Sequence, residues 1–523
     1  MNLSKSRYVQ GCTCPKILWM QEHMPEQYDP SVIDESRTEA GNVVGDLAMG
    51  YYGPFVEVPF EPKEFTRMAA RTAELLAAGT PIICEAAFLL DGNFCMVDIL
   101  RVEPGGVRLT EVKSATHVKD YYLNDVAYQC WVLERCGLRV KSAALLHVNS
   151  GYVRDGELDL QGLFTEEDLT EVIRERLDEV PANVRAFADF CAAADEPWPD
   201  IINENCLDKD MPCGFAGWCT RCAPRPGVLD INRLTRSSKV SLYNEGVRTF
   251  SEVVAAGVRL TRMQEKQVRA ELDASPALID VPAIREFLGT LSWPLYFLDF
   301  ETMQPAVPLF DGTRPYQQVT TQYSLHIQRE PGGELEHREF LAPEGESPLR
   351  AVAEHLVADI PFGACTLAYN MQFERSRIRE MAAAFPDLAA HLKDIARGMR
   401  DLMVPFKDGA YYDRAMGGSY SIKAVLPALC PDDPSLDYHG LEGVHNGGEA
   451  MTAYANLVNL DAQERAQVRE QLLRYCELDT LAMVRVLDRL MEAAGETPGA
   501  REAIAQDAGV LPDDPASEQL SLW

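Results

Sequence analysis

Two ordered sets of carboxylates carry the residue types that hold a divalent metal against a phosphodiester. The first is Asp98 followed by Glu111-Val112-Lys113. The second is Asp299-Phe300-Glu301, then Glu374, then Tyr475 and Asp479. Carboxylate oxygens suit Mg²⁺ or Mn²⁺, with water completing the octahedron. Beside such an ion, Lys113 can orient or help deprotonate an attacking water and offset charge growing on the phosphate. Four acids gathered in the second set repel one another unless cations relieve them, and two metals there clamp both attacking and leaving oxygens. Tyr475 is positioned to hydrogen-bond the nucleophilic water.

The elements that must position these groups can be read from periodicity and turn residues. Residues 81–88, 93–102 and 107–113 read as strands, with a turn at Glu103-Pro104-Gly105-Gly106. Asp98 is expected at the end of its strand. Glu111 and Lys113 are two apart on the next strand and share a face. Residues 121–136 read as a helix stopped by Gly137. Gln129 on that helix, four after Asp125, turns to the same site. In the second half, 294–300 reads as a buried strand with Asp299 and Glu301 at its end, on one face. Residues 316–328 and 334–341 read as a hairpin, and 366–369 as a further strand. Glu374 is expected at a strand-to-helix junction capped by Asn370. Tyr475 and Asp479, four apart, share a helix face.

The chain has 523 residues, enough for two to four domains, and its 46% hydrophobic content can fill their cores. The net charge of -31 argues against nonspecific nucleic-acid binding by the whole surface. Residues 225–269 are a local exception. They hold nine Lys/Arg (Arg225, Arg233, Arg236, Lys239, Arg248, Arg259, Arg262, Lys266 and Arg269) against four acids, a local excess of +5. Residues 1–16 contain no apolar signal region, and no apolar stretch reaches the roughly 20 residues a bilayer needs. The expectation is a cytoplasmic, soluble protein without a membrane partner.

Fourteen cysteines in such a chain are not expected to form a disulfide framework. Cys84, Cys95, Cys130, Cys136, Cys365 and Cys430 lie in apolar runs and read as core. Cys12 and Cys14 near the start, and Cys206, Cys213, Cys219 and Cys222 much later, are the candidates for a shared site.

Asp98, Glu111-Val112-Lys113-Ser114 and Gln129 resemble the RecB-like branch of the PD-(D/E)xK nucleases. Many members carry an iron–sulfur cluster bound by one cysteine before the nuclease core and three after it. The resemblance implies Cys14, Cys206, Cys213 and Cys219 as cluster ligands. A cubane cluster (4Fe-4S) suits four thiolates, and zinc is the rival occupant. Cys12 and Cys222 are spare candidates. The histidine found upstream in active relatives is absent; Gly41-Asn42-Val43-Val44-Gly45 stands there, with Glu85 as a substitute ligand or a structural residue. Asp299, Glu301, Glu374, Tyr475 and Asp479 resemble the DnaQ-like (DEDD) 3′–5′ exonucleases of the RNase H-like fold, in their tyrosine subclass. Glu374 stands where that family has Asp. Together with Asp401-Leu402 and Gly418-Ser419-Tyr420-Ser421-Ile422-Lys423, the chain resembles the family known as domain of unknown function 2779, found in bacteria behind RecB-like nucleases.

The expected architecture is therefore α/β and multidomain. A RecB-like restriction-endonuclease-type core with its cysteines spans 1–225. A small helical unit spans 228–282, either helix-hairpin-helix-like or a plain linker domain, with glycine amides near Gly246 free to meet a phosphate. A DnaQ-like exonuclease domain spans 283–495. A disordered tail, 496–523, ends in Gln519-Leu520-Ser521-Leu522-Trp523, which resembles the bacterial sliding-clamp-binding peptide. The implied function is a metal-dependent phosphodiesterase using Mg²⁺ or Mn²⁺: a DNA nuclease of repair or processing. The alternatives are a nucleic-acid-binding scaffold with one or both sites dead, and an RNA-processing exonuclease.

Overall fold

The computed structural model describes residues 3–32, 35–433, 436 and 443–496, apart from the side chains of 35–37. The tail with its clamp-type peptide lies outside them. The chain is an α/β protein with two mixed sheets and many helices.

The first sheet is built from β1 (Leu3–Ser4), β2 (Val56–Glu57), β3 (Ile82–Leu90), β4 (Asn93–Glu103), β5 (Gly106–Lys113), β6 (Val140–Val148) and β7 (Phe164–Asp168). Its order is β2-β3-β4-β5-β6-β7, with β1 beside β4. Strands β3, β4 and β5 form an antiparallel meander, whereas β6 runs parallel to β5. A parallel neighbour requires a crossover, and the helix Asp120–Arg135 supplies it. That helix buries Tyr122, Leu123, Val126, Ala127, Cys130, Val132 and Leu133 in the core. The same burial carries Asp125 and Gln129 inward.

The second sheet follows the short pair β8 (Leu278–Ile279) and β14 (Tyr411–Tyr412). It contains β9 (Leu295–Met303), β10 (Val319–Gln328), β11 (Leu335–Leu341), β12 (Cys365–Ala368) and β13 (Met399–Asp401), in the order β11-β10-β9-β12-β13. The β9–β10–β11 part is antiparallel, and β12 and β13 are parallel to β9 and to each other. Alternation splits β9 cleanly. Tyr296, Leu298 and Phe300 join one core with the helices Leu349–Asp359, Gln372–Ala384 and Ala389–Gly398. Leu295 and Phe297 join another with the helix Ala462–Ala493. Asp299 and Glu301 share that second face, under the long helix.

Several expectations are corrected. Asp98 sits inside β4, and Asp299 and Glu301 inside β9, not at strand ends. Residue 316 is not in the hairpin: β10 begins at Val319, and Tyr316 adopts a left-handed conformation (φ 57°) in the preceding loop. Asn370 is not the cap of the helix bearing Glu374. It is left-handed (φ 66°), Met371 takes the cap position, and the Asn370 amide donates to Asp401 Oδ1 at 2.9 Å. Cys136 is exposed rather than core.

The helical segment forms the pieces Arg236–Asn244, Phe250–Ala255 and Arg262–Leu272. The amides near Gly246 are not available to a phosphate. Gly246 donates to Tyr243 O, and Arg248 and Thr249 donate to the Glu252 carboxylate at 2.8 and 2.7 Å in a capping box. Much of the basic excess is spent internally: Arg225 pairs with Asp230, Arg236 with Asp208, and Lys239 and Lys266 cap carbonyls. The unit shares one core with Ile202 and Cys219, so its packing crosses the expected boundary near 225.

Candidate metal centres

The first carboxylate set converges as expected and includes a residue that spacing did not reveal. Antiparallel pairing of β4 and β5 brings Asp98 beside Glu111, and the Val112 amide donates to Asp98 Oδ2 at 2.7 Å. Glu111 is fully buried and accepts three donors. Lys113 Nζ lies 2.6 Å from Oε1, Gln129 Nε2 lies 2.7 Å from Oε2, and Lys5 Nζ lies 3.0 Å from Oε1. Lys5 also reaches Asp98 Oδ1 at 3.4 Å. Lys113 bonds Asp125 at 2.8 Å, so that helix residue completes the network.

Electrostatics separates the members. Burial opposes ionisation of Glu111, but Lys113, Lys5 and the Gln129 bond overcome it and hold the carboxyl well below the usual range. Asp98 is pushed up to about 6 by burial and by Glu111. Glu85 is pushed up to about 7 by burial and by Asp98. Glu85 is left unpaired within the otherwise continuous β3–β4 register and has a left-handed backbone (φ 54°). A cleft of about 240 Å³ opens here. Asn42 and Asp46 line it with Glu85, Asp98 and Glu111, so the segment lacking the histidine does reach the site.

The second set also converges. Asp299, Glu301 and Asp479 can each present a carboxylate oxygen within 4.8 Å of the others. Glu374 is buried, and its Oε2 has no hydrogen-bond partner among the described residues. An orphaned buried carboxylate oxygen is costly, and its donor chemistry fits a divalent cation. Lys423 offsets part of the charge at Glu301, and Arg377 part of that at Glu374. Burial, then Asp479, Glu374 and Glu301, push Asp299 well above the carboxylate range. Glu301 and Glu374 are each raised to about 8, chiefly by burial. Tyr475 is buried on the same helix, and burial keeps its phenol protonated far above its ordinary range.

Cys14, Cys206, Cys213 and Cys219 line one small cavity, together with Lys16, Asn203 and Asn205. Cys12 and Cys222 do not line it. Among the described residues no three cysteine sulfurs lie within 4.8 Å of one another. A tetrahedral zinc would draw its thiolates to about 3.8 Å apart, from bonds of about 2.3 Å. The four-thiolate donor set fits an iron–sulfur cluster, whose cysteines bind different irons and stand wider apart.

The sites are linked by the loop after β9. Tyr316 donates to Ser114 O, next to Lys113. Arg154 Nη1 bonds Pro308 O and Leu309 O at 3.0 and 3.1 Å, and Ala306 packs in the core beside Val44, Ile99 and Leu146.

Residues 296–421 match the family model described as a domain of unknown function (DUF2779). The match includes Asp299, Glu301 and Glu374; Tyr475 and Asp479 lie beyond it. Among curated proteins the chain is similar to an uncharacterized protein of Mycoplasma pneumoniae, the MG366 homolog, at 28% identity over 210 residues, covering 36% of this chain and 31% of the relative. It is similar to uncharacterized protein MG366 of Mycoplasma genitalium at 24% identity, with the same coverage. Uncharacterized protein UU173 of Ureaplasma parvum is 26% identical over 227 residues, 39% of this chain and 32% of the relative. The match spans about a third of the length of these relatives. No solved structure matches. Among the described residues no helix is long and apolar enough to cross a membrane.

Proposed function

We propose that the chain is a metal-dependent DNA nuclease with two phosphodiesterase sites. One is a RecB-like PD-(D/E)xK site at Asp98, Glu111, Lys113 and Gln129. The other is a DnaQ-like 3′–5′ exonuclease site at Asp299, Glu301, Glu374, Tyr475 and Asp479. The observation that carries the reading is the second cluster: three carboxylates within 4.8 Å and a fourth, Glu374, buried with an orphaned oxygen among the described residues. The sheet order, with an antiparallel β9–β10–β11 hairpin set followed by parallel β12 and β13, supports an RNase H-like reading of this half.

Divalent ions bound at these carboxylates supply the Lewis acidity that phosphodiester hydrolysis needs. The protein's own groups do the rest. Asp299 and Glu301 are held two apart on a rigid strand, and Asp479 is fixed opposite them by the long helix. The Tyr475 hydroxyl remains a donor that can align a water or a phosphate oxygen. In the first site the Lys113 ammonium is fixed by Glu111 and Asp125, ready to stabilise negative charge on a phosphate. Cys14, Cys206, Cys213 and Cys219 are read as holding an iron–sulfur cluster, which would tie the first helices to the segment behind the first sheet.

The test is cleavage of end-labelled single-stranded and duplex DNA, with matched RNA, in Mn²⁺. Asp299→Ala is expected to lower 3′-end trimming by on the order of 10³-fold, and Lys113→Ala to do the same for the other activity. Unchanged cleavage in both variants sinks the proposal. Cutting of RNA alone would move it to RNA processing.

A further inference from the structure

The interface between β10, β11 and the helix Ala462–Ala493 is unusually polar. Gln322, Ser324 and His326 on the β10 face toward the helix are buried, as is Thr480 opposite them. His337 is the cross-strand partner of His326, and their rings lie 4.6 Å apart. Glu477, one helical turn before Thr480, overhangs the pair, with its carboxylate 3.8 Å from His337 Nδ1. His326, His337 and Glu477 can each present a ligand atom within 4.8 Å of the other two.

Proton accounting shows what this cluster lacks. Thr480 Oγ1 donates to Glu477 O at 3.0 Å, so toward other partners it can only accept. Ser324 Oγ, 2.7 Å away, therefore donates to Thr480, and His326 Nδ1–H, 2.8 Å away, donates there too. Ser324 has then used its hydrogen and accepts from His337 Nε2–H at 2.9 Å. One chain of hydroxyls fixes both tautomers. It leaves His326 Nε2 and His337 Nδ1 as lone pairs, with His337 Nδ1 3.8 Å from the Glu477 carboxylate. Two neutral imidazole nitrogens and a carboxylate facing one another form an acceptor set with no donor. Metal-binding histidines are held in this way, with the second ring nitrogen hydrogen-bonded to an orienting group.

We propose that His326, His337 and Glu477 bind a transition metal, zinc by preference, at a site separate from both acidic centres and from the cysteines. Two imidazoles and one carboxylate suit zinc and leave a fourth position for water. Donors around tetrahedral zinc stand about 3.3 Å apart. The present ligand atoms lie within 4.8 Å of one another, and Glu477, whose side chain is 45% exposed, is free to move toward the two rings. Glu339 and Arg485 are the other charged groups facing the histidines. The first adds attraction for a cation, and the second is drawn off by Asp433 and Asp488. Bound metal would brace β10 and β11 against the turn of helix that also carries Tyr475 and Asp479.

The test is equilibrium dialysis of the full chain against Zn²⁺ in excess Mg²⁺, with bound metal counted by mass spectrometry. Wild type is expected to hold one zinc more than His337→Ala, because the cysteine site contributes equally to both. Ser324→Ala should keep the stoichiometry and weaken affinity by about 10- to 100-fold, the usual effect of losing an orienting partner. The one-zinc difference must persist in an Asp299→Asn background, which separates it from the acidic centre. Circular dichroism checks the fold, and surface Glu477→Gln repeats the comparison should His337→Ala misfold. Equal zinc content in wild type and both variants overturns the proposal and assigns the cluster to a doubly protonated His337 paired with Glu477.

Discussion

The two acidic centres solve the same electrostatic problem in opposite ways. In the first, Lys5 and Lys113 reach into the carboxylates, and buried Glu111 stays ionised without any metal. In the second, Asp299, Glu301 and Glu374 are pushed toward the protonated form. A neutralised cluster is part of the fold's own stability. A cluster whose acids are pushed toward the protonated form stores repulsion that an ion relieves. The first centre should thus resist metal removal, and the second should register it.

The sharpest way to break this contrast is to remove one acid from each centre in metal-free protein. Glu111→Ala strands two ammonium groups and should cost about 3–5 kcal/mol, seen as a drop of on the order of 10 °C in Tm. Asp299→Asn mimics the protonated acid and should leave Tm unchanged or raise it at pH 8. A loss below about 1 kcal/mol for Glu111→Ala would show that the lysines do not hold it as described.

Next in size is the pH response. Glu301 and Glu374 bind protons more tightly in the folded protein than in the unfolded chain, so folding is favoured at low pH. That contribution is complete below the ordinary glutamate range and is lost as pH rises to about 8. The slope is about 1.4 kcal/mol per pH unit for each extra proton held. In chelator, melting temperature should fall between pH 6 and about 8, then level. Mn²⁺ or a Glu301→Gln, Glu374→Gln pair should flatten the fall near 8. Glu111, depressed, acts in the other direction: its contribution is present above the ordinary glutamate range and is lost only in strong acid. A slope near pH 8 that survives in the double variant would place its source elsewhere.

What was legible in the sequence was local. Two-residue spacing on a strand and four-residue spacing on a helix located Glu111 with Lys113, Asp299 with Glu301, and Tyr475 with Asp479, because those periods are fixed by backbone geometry. What was not legible depends on distant chain. Lys5 meets Asp98 and Glu111 across 93 and 106 residues, in a stretch read for its cysteines and its lack of a signal. Asn370 is left-handed, with its amide bonded to Asp401, 31 residues on, and Met371 takes the cap position instead. The pairing of His326 with His337 needs the hairpin register, and Glu477 needs the helix laid over it. The four cysteines at one cavity were reached through resemblance, since spacing alone left six candidates.

Lys5 offers a finer test of the same contrast. Its ammonium lies between Asp98 and Glu111, and a cation bridging those acids must displace it. Lys5→Met keeps the aliphatic stem while removing the charge. Mn²⁺ binding at the first centre should tighten by about tenfold, on the scale of one charged hydrogen bond of about 1.5 kcal/mol. Titration calorimetry in an Asp299→Asn, His337→Ala background reads that centre by itself. Unchanged or weaker affinity would mean that Lys5 assists the ion rather than competing with it.

The smallest expected effect concerns how independent the two centres are. The loop after β9 starts beside Glu301 and places Tyr316 on the carbonyl of Ser114, next to Lys113. Tyr316→Phe deletes one hydroxyl and leaves a carbonyl acceptor, a loss of about 1 kcal/mol and about 2–4 °C in Tm. Because the ring keeps its packing, any change in metal affinity at the first centre would report the hydrogen bond alone. The expected result is the small stability loss with both metal affinities within about twofold, since the carboxylates themselves are held by strands rather than by the loop. A larger shift at either centre would make the loop a coupler, and the contrast between the centres would then belong to one linked system.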